Sequence, residues 1–186
     1  MAENNKCKPN SVRPETLDFR QYCREIPDFP KKGVIFRDIT TLLKDGKVFT
    51  RAIDEMARHF DLKKIDLIAC IDARGFLIGA AMAYKIGCGV IPIRKKGKLP
   101  WRVHSQAYDL EYGQDILEIH QDAVQPGQNV LIVDDVLATG GTAAAVVSLI
   151  RGMKGTIEGA AFLMELKDLK GREKLPGINI YSLIEC

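Results

Sequence analysis

Two neighbouring carboxylates, Asp134 and Asp135, stand just ahead of Thr139-Gly140-Gly141-Thr142, and the two halves ask for different ligand chemistry. The glycines let the backbone turn tightly and approach a ligand with no Cβ in the way. Their N–H groups, the positive end of a helix that follows, and the two threonine hydroxyls suit a single phosphate. Two carboxylates beside that cradle repel a bare polyphosphate but accept hydrogen bonds from vicinal hydroxyls. The stretch therefore asks for a sugar with a diol at one end and a phosphate monoester at the other, the description of a ribose 5-phosphate. No Gly-Lys-Ser/Thr follows the glycines, so this is not a Walker A loop, and the spacing is not Gly-x-Gly-x-x-Gly. An ordinary strand–turn–helix with Thr142 as N-cap is the plainer alternative; the acidic pair and the flanking threonines weigh against it.

Two cationic stretches fall at comparable places. In Asp72-Ala73-Arg74-Gly75, Arg74 offers a planar fork that stays charged; the plainer alternative is a surface ion pair between Asp72 and Arg74, worth ~0–1 kcal/mol. In Arg94-Lys95-Lys96-Gly97-Lys98, Lys95 and Lys96 read equally well as a solvated face. Arg94 and Lys98, placed after a strand end, suit a diphosphate.

The elements that must position these residues follow from apolar spacing. Val130–Val133 is an unbroken branched apolar run, as in a parallel strand buried on both faces. Its end places Asp134 and Asp135 where ligands collect in open α/β sheets, and an Ala-rich helix starts at once after Thr142. Ile65–Ile71, Gly89–Ile93, Ile157–Met164 and an edge strand Ile178–Ile184 read as further strands. Val48, Phe49, Ala52, Ile53, Met56, Ala57 and Phe60 form a helical stripe, with His59 beside it at the surface. Residues 76–86 form a second helix, stopped by Gly87. Leu17, Phe19, Tyr22 and Ile26 suit a short helix starting near Pro14, and residues 34–39 a short edge strand. Ala107–Leu110 and Ile116–Ile119 alternate around Gly113 as a hairpin, with Glu118 a strand-surface charge. Residues 97–107 show no periodicity and read as a mobile loop that closes over the site; His104 there is read as solvated. Alternating strands and helices give an α/β fold with a central, mostly parallel sheet and right-handed crossovers.

The chain has 186 residues, 46% hydrophobic and 27% charged, with net charge +3. That is ordinary for one globular domain. The basic residues are spread rather than striped, which gives no case for nucleic acid. Five cysteines show no Cys-x-x-Cys spacing; Cys70 and Cys88, in apolar runs, read as buried free thiols, pointing to a reducing, cytoplasmic compartment. No apolar run approaches the ~20 residues of a membrane span. No His/Cys cluster suggests a protein-held metal.

Val133-Asp134-Asp135-Val136-Leu137-Ala138-Thr139-Gly140-Gly141-Thr142 resembles the phosphoribosyl diphosphate (PRPP) motif of the type I phosphoribosyltransferases. Phe29-Pro30 through Phe36-Arg37-Asp38-Ile39, Asp72-Ala73-Arg74-Gly75-Phe76, Arg94 to Pro100, and Tyr108-Asp109-Leu110-Glu111-Tyr112-Gly113 resemble the adenine-specific members. The resemblance runs in order over about residues 15–184. It implies the type I phosphoribosyltransferase fold as one domain over 13–186, behind a disordered tail at 1–12. A small N-terminal hood occupies about 13–44 and the core about 45–186. It implies purine salvage in the cytoplasm: adenine and PRPP give AMP and diphosphate through an oxocarbenium-like sugar, with Mg²⁺ carried by PRPP, in a homodimer. By the same resemblance Ala138, Thr139, Gly140, Gly141 and Thr142 hold the 5-phosphate, and Asp134 and Asp135 the ribose hydroxyls. Arg74, with Arg94 and Lys98, holds the diphosphate. Backbone groups around Ile35 and Arg37 read adenine, and Glu111, with Tyr112 beside it, takes the base's proton. A phosphoribosyltransferase for another base and a non-catalytic PRPP sensor are the alternatives. Trp101-Arg102-Val103-His104 is bulkier than the commoner family pattern.

Overall fold

The computed structural model describes residues 17–109 and 114–186. Glu111, Tyr112 and the N-terminal tail lie outside them. After a 3-10 turn at Phe19–Tyr22 capped by Asp18, strand β1 (Arg24–Pro27) pairs antiparallel with β2 (Ile35–Asp38). The helix expected to run through Ile26 is therefore not formed. Phe19 alone of that turn is buried, the backbone is extended from Cys23, and Ile26 lies opposite Phe36 in the ladder. Pairing with β2 gives these residues partners for their backbone groups that a solitary short helix could not better.

Helix α1 (Thr40–Leu43) leads into α2 (Gly46–Arg58), whose start is fixed by Asp45 Oδ1, an acceptor for the N–H groups of Lys47 and Val48 at 3.0 and 3.2 Å. The stripe Val48, Ala52, Ile53, Met56 and Ala57 is buried, and His59, exposed as expected, stacks on Tyr181. There follow β3 (Leu67–Ile71), α3 (Gly75–Ile86), β4 (Gly89–Lys95), β5 (Val103–Asp109), β6 (Gln114–His120), β7 (Asn129–Leu137), α4 (Gly141–Gly152), β8 (Thr156–Glu165) and β9 (Ile180–Glu185). Gly87, at φ 79°, ends α3 in the left-handed conformation that glycine adopts without a Cβ penalty. Two 3-10 turns, Lys167–Leu169 and Gly171–Lys174, fill the charged connection before β9.

The larger sheet has the order β5-β6-β4-β3-β7-β8-β9. From β4 to β9 neighbours run parallel, and β6 and β5 close one side antiparallel. The reading of residues 97–107 as a loop is corrected here, because β5 begins at Val103 and pairs with β6 along its whole length. As an outermost strand it exposes His104 and Ser105, so no apolar alternation advertised it. Pro92, with no N–H to donate, stands in the part of β4 that β6 leaves unpaired.

Alternate residues of the central strands feed two cores. Ile68, Cys70, Leu131, Val133, Ala161 and Leu163 pack with α2 and α3, whereas Ala69, Ile71, Val130, Ile132, Ala160 and Phe162 pack with α4. Val130 to Val133 are each 0% exposed, and burial of such a side chain contributes about 1.5–3 kcal/mol. Burial pushes the Cys70 thiol up to about 12, leaving it a small apolar group; Cys88, expected buried, is half-buried. No helix among the described residues is long and apolar enough to cross a membrane.

Helix α3 approaches β3 closely because Gly79 has no side chain. A Cβ there would collide with Cys70 Sγ and stand 3.1 Å from Cys70 Cβ. Gly79→Ala is expected to destabilise by about 1–3 kcal/mol from overpacking, against the ~1 kcal/mol that alanine gains in a helix. Urea unfolding checks this, and Cys70→Ala in the same chain is expected to recover most of the loss.

Candidate active site

The chain passes from β3 to β4 on one side and then returns to β7 on the other, so the strand order reverses between β3 and β7. In open α/β sheets such a switch leaves a crevice at the strands' C-terminal ends. Pairing between β3 and β7 stops at Cys70–Val133, while β7 continues to Leu137 against β8. Asp134 and Asp135 are thus not beyond the strand's end, as the apolar run suggested. They lie inside a strand that has lost its neighbour on one side.

Both carboxylates are largely removed from water, at 9% and 7% exposure. Asp134 Oδ1 accepts the Asp135 N–H at 2.8 Å. Gly75, the first residue of α3, lies so close that a Cβ there would come within 2.7 Å of Asp134 Oδ1, which sets the carboxylate at the helix's positive end. Burial, then the neighbouring Asp135 charge, pushes the Asp134 carboxyl well above the usual carboxylate range. Arg74 Nε stands 2.5 Å from Asp135 Oδ2, an ion pair, although that oxygen receives no well-aligned hydrogen bond. The Arg74 guanidinium also lies over the Phe36 ring at 5.3 Å, joining β2 to the crevice.

The surface pair between Asp72 and Arg74 is not formed. Asp72 instead accepts from Arg94 Nε at 3.2 Å, and Arg94 Nη1 donates to the Lys98 carbonyl, also at 3.2 Å. These bonds shape the turn after β4. Glu118, expected at the surface, is 6% exposed because β6 crosses β4 at Arg94–Glu118. It takes the Gly97 N–H at 2.8 Å and so braces the same turn.

Arg74, Asp134, Asp135 and Thr142 line one cavity of about 270 Å³, together with Asp72 and Ala73. Lys95 and Tyr108 line it as well, and neither was singled out from the sequence. Lys95, which in the sequence reads equally well as a solvated face, is the last residue of β4, beside Arg94. It pairs with Asp115 at 3.1 Å, and the Tyr108 hydroxyl reaches the same carboxylate at 3.4 Å. Asp134, Ala138, Thr139, Gly140 and Thr142 line a smaller hollow of about 50 Å³. Gly140, at φ 77°, is the N-cap of α4 and Gly141 its first residue, so Thr142 is inside the helix rather than its cap. Arg94 and Lys98 are not among the residues lining either cavity, nor are Ile35 and Arg37 in β2. Ile35 is 52% exposed, and Arg37 pairs with Glu25 at 3.5 Å. Among the described residues no three His, Cys, Asp or Glu side chains converge as a metal site.

A buried carboxylate pair, a glycine turn opening a helix and a guanidinium paired with one of those carboxylates therefore share one crevice. Residues 40–183 match the phosphoribosyl transferase domain family model. The adenine phosphoribosyltransferase of Trichlorobacter lovleyi is 55% identical over 168 residues, covering 90% of this chain and 98% of that one. The crystal structure of adenine phosphoribosyltransferase from Thermoanaerobacter pseudethanolicus superposes with a TM-score of 0.87 at 52% identity, covering 90% of this chain and 98% of that one. That from Saccharomyces cerevisiae, complexed with an imino-altritol bisphosphate and adenine, gives 0.85 at 37% identity over 89% and 96%. The sheet with its flanking helices is the type I phosphoribosyltransferase fold, and the chain belongs to the adenine phosphoribosyltransferase family.

Proposed function

We propose that the chain transfers the phosphoribosyl group of PRPP to adenine, giving AMP and diphosphate in purine salvage. The observation that carries this reading is the convergence of Arg74, Asp134, Asp135 and Thr142 on one cavity next to the Ala138–Thr142 turn. Backbone N–H groups at Gly140 and Gly141, with the hydroxyls of Thr139 and Thr142, receive the 5-phosphate; Ala138 leads the chain into that turn. Asp134 and Asp135 accept from the ribose hydroxyls. Arg74 takes the diphosphate with a planar fork, and Arg94 and Lys98 act on it from the rim, or across a subunit boundary.

As the bond from C1 to diphosphate breaks, the leaving group keeps the electron pair and the sugar becomes oxocarbenium-like, as in glycoside chemistry. Adenine N9 then bonds to C1, and Glu111, with Tyr112 beside it, takes the proton the base must lose, for instance from N7. Mg²⁺ carried by PRPP, rather than held by the protein's side chains, would lower the charge on the departing diphosphate. Residues from about 13 to 44 act as a hood over the base, with backbone groups around Ile35 and Arg37 reading adenine; the Arg74–Phe36 contact supports that hood standing against the diphosphate side. The yeast relative's complex with adenine supports the base.

We further propose a cytoplasmic homodimer. Tyr84 and Leu77 on α3 are 92% and 56% exposed, beside a hollow lined by Phe49, Ile53 and Ala81, and a second copy would cover them. Tyr84→Asp is expected to shift the species seen by sedimentation toward monomer.

Diphosphate release with PRPP and Mg²⁺, offered adenine, hypoxanthine, guanine and orotate separately, tests the reaction. Turnover with adenine alone is expected, and Glu111→Ala is expected to lose about 10²–10⁴-fold, the usual worth of a general base. Turnover with another base would remove Ile35 and Arg37 as readers of adenine, and PRPP binding without turnover would make the chain a sensor.

The raised Asp134 carboxyl has a stability consequence. A folded pKa above the unfolded value means the ionised form is penalised in the native state. That penalty starts above the ordinary carboxylate value of about 4 and grows until pH passes the folded value. Asp134→Asn is expected to raise the melting temperature of the unliganded chain, more at pH 8 than at pH 5, while weakening PRPP binding. Thermal melts at both pH values check the sign.

A further inference from the structure

Outside the crevice, the end of β8 carries a charged residue that the proposed reaction does not use. Glu165 is 3% exposed. Arg172 grips it with both prongs of its guanidinium, Nε to Oε1 at 2.7 Å and Nη2 to Oε2 at 2.6 Å. The remaining donors of the same group tie down β9, with Nη1 on the Ile180 carbonyl at 3.1 Å and Nη2 near Ser182 Oγ at 3.4 Å. A bidentate grip of this kind fixes orientation as well as charge. Arg172 first of all holds the Glu165 carboxyl below its usual range.

Arg172 belongs to the 3-10 turn Gly171–Lys174, and the residue before it touches the phosphate turn directly. A Cβ on Gly171 would collide with the Ala138 carbonyl and come within 3.1 Å of Gly140 N. A Cβ on Gly140 would collide in turn with the Gly171 carbonyl. Two backbones therefore rest on each other with no side chain between them, at the residue whose φ of 77° opens α4. Leu175, 3% exposed, anchors the far end of the turn in the core that also holds Leu137. With its ends fixed by Arg172 and Leu175, the turn leaves the Ala138–Gly140 backbone one surface to lie on.

We propose that Arg172, clamped on Glu165, is a positioning residue for the 5-phosphate turn: it holds the Gly171 backbone against which Ala138 and Gly140 are set. The proposal rests on the reading that residues 138–142 bind a phosphate monoester. Preorganised donors lose effect when displaced by even about 1 Å, so the effect belongs to phosphate affinity, not to adenine.

The test measures ribose 5-phosphate binding by calorimetry, and KM for PRPP and for adenine, in the wild-type chain, Arg172→Ala, Arg172→Lys and Glu165→Gln. Arg172→Ala is expected to weaken ribose 5-phosphate binding and raise KM for PRPP about tenfold or more, with KM for adenine and kcat at saturating PRPP within about twofold. Arg172→Lys, which keeps the charge but not the fork, is expected to fall between. Glu165→Gln keeps an acceptor and carries the comparison where Arg172→Ala does not fold. A lower melting temperature with unchanged KM for PRPP, or equal changes in both KM values and kcat, overturns the proposal alone. No ribose 5-phosphate binding by the wild-type chain removes the functional reading and the proposal with it.

Discussion

Two adjacent ionised carboxylates lose stabilising solvation when they are withdrawn from water, and a cationic or dipolar partner offsets part of that cost. For Asp134 and Asp135 the partners are Arg74 and the start of α3, both delivered by the turn that ends β3. The rest of the crevice follows from this arrangement. The turn must come close, so position 75 is glycine. The helix behind it must lie flat on β3, so position 79 is glycine too. The strands β3 and β7 must part at Val133 to leave the carboxylates room.

The same guanidinium reaches in two directions, toward Asp135 and toward the Phe36 ring in β2. A single side chain thus relates the small two-stranded sheet to the main one at the edge of the crevice. Phe36 is steadied by an edge-on contact with Phe29, at 5.2 Å between ring centres. Lys95 at the end of β4, with Tyr108 and Leu117, lines the other side, and the turn that follows Lys95 is braced by Asp72, Glu118 and the hydrogen bonds of Arg94.

The elements legible in the sequence are those whose signal is local. Val130–Val133 declares a strand buried on both faces, and the 3.6-residue stripe of α2 declares a helix. Asp134 to Thr142 can be read as a sugar-phosphate site because its parts are contiguous. What stayed hidden depends on register between distant strands. The partner of Arg74 is Asp135 rather than Asp72 because β3 and β7 lie side by side. Glu118 reads as a surface charge in the sequence because nothing local announces the pairing of β6 with β4 at Arg94. The support of Gly140 by Gly171 joins residues that no spacing rule connects. Lys95 and Tyr108 stand inside legible motifs, but their meeting at Asp115 depends on β4, β5 and β6 lying side by side. The Ile26 helix failed because four apolar positions are too few to outweigh a strand partner.

The outermost strand β5 was hard to see for the same reason that it is safe. Its exposed residues include His104 and Ser105, and the Gln106 side chain donates to the Ala107 carbonyl at 3.0 Å. An open sheet edge is a template on which another chain can add a strand, the first step of aggregation. Here one edge carbonyl is already engaged by the strand's own side chain and the flanking surface is polar, so the β5 margin of the sheet is a poor place for such growth.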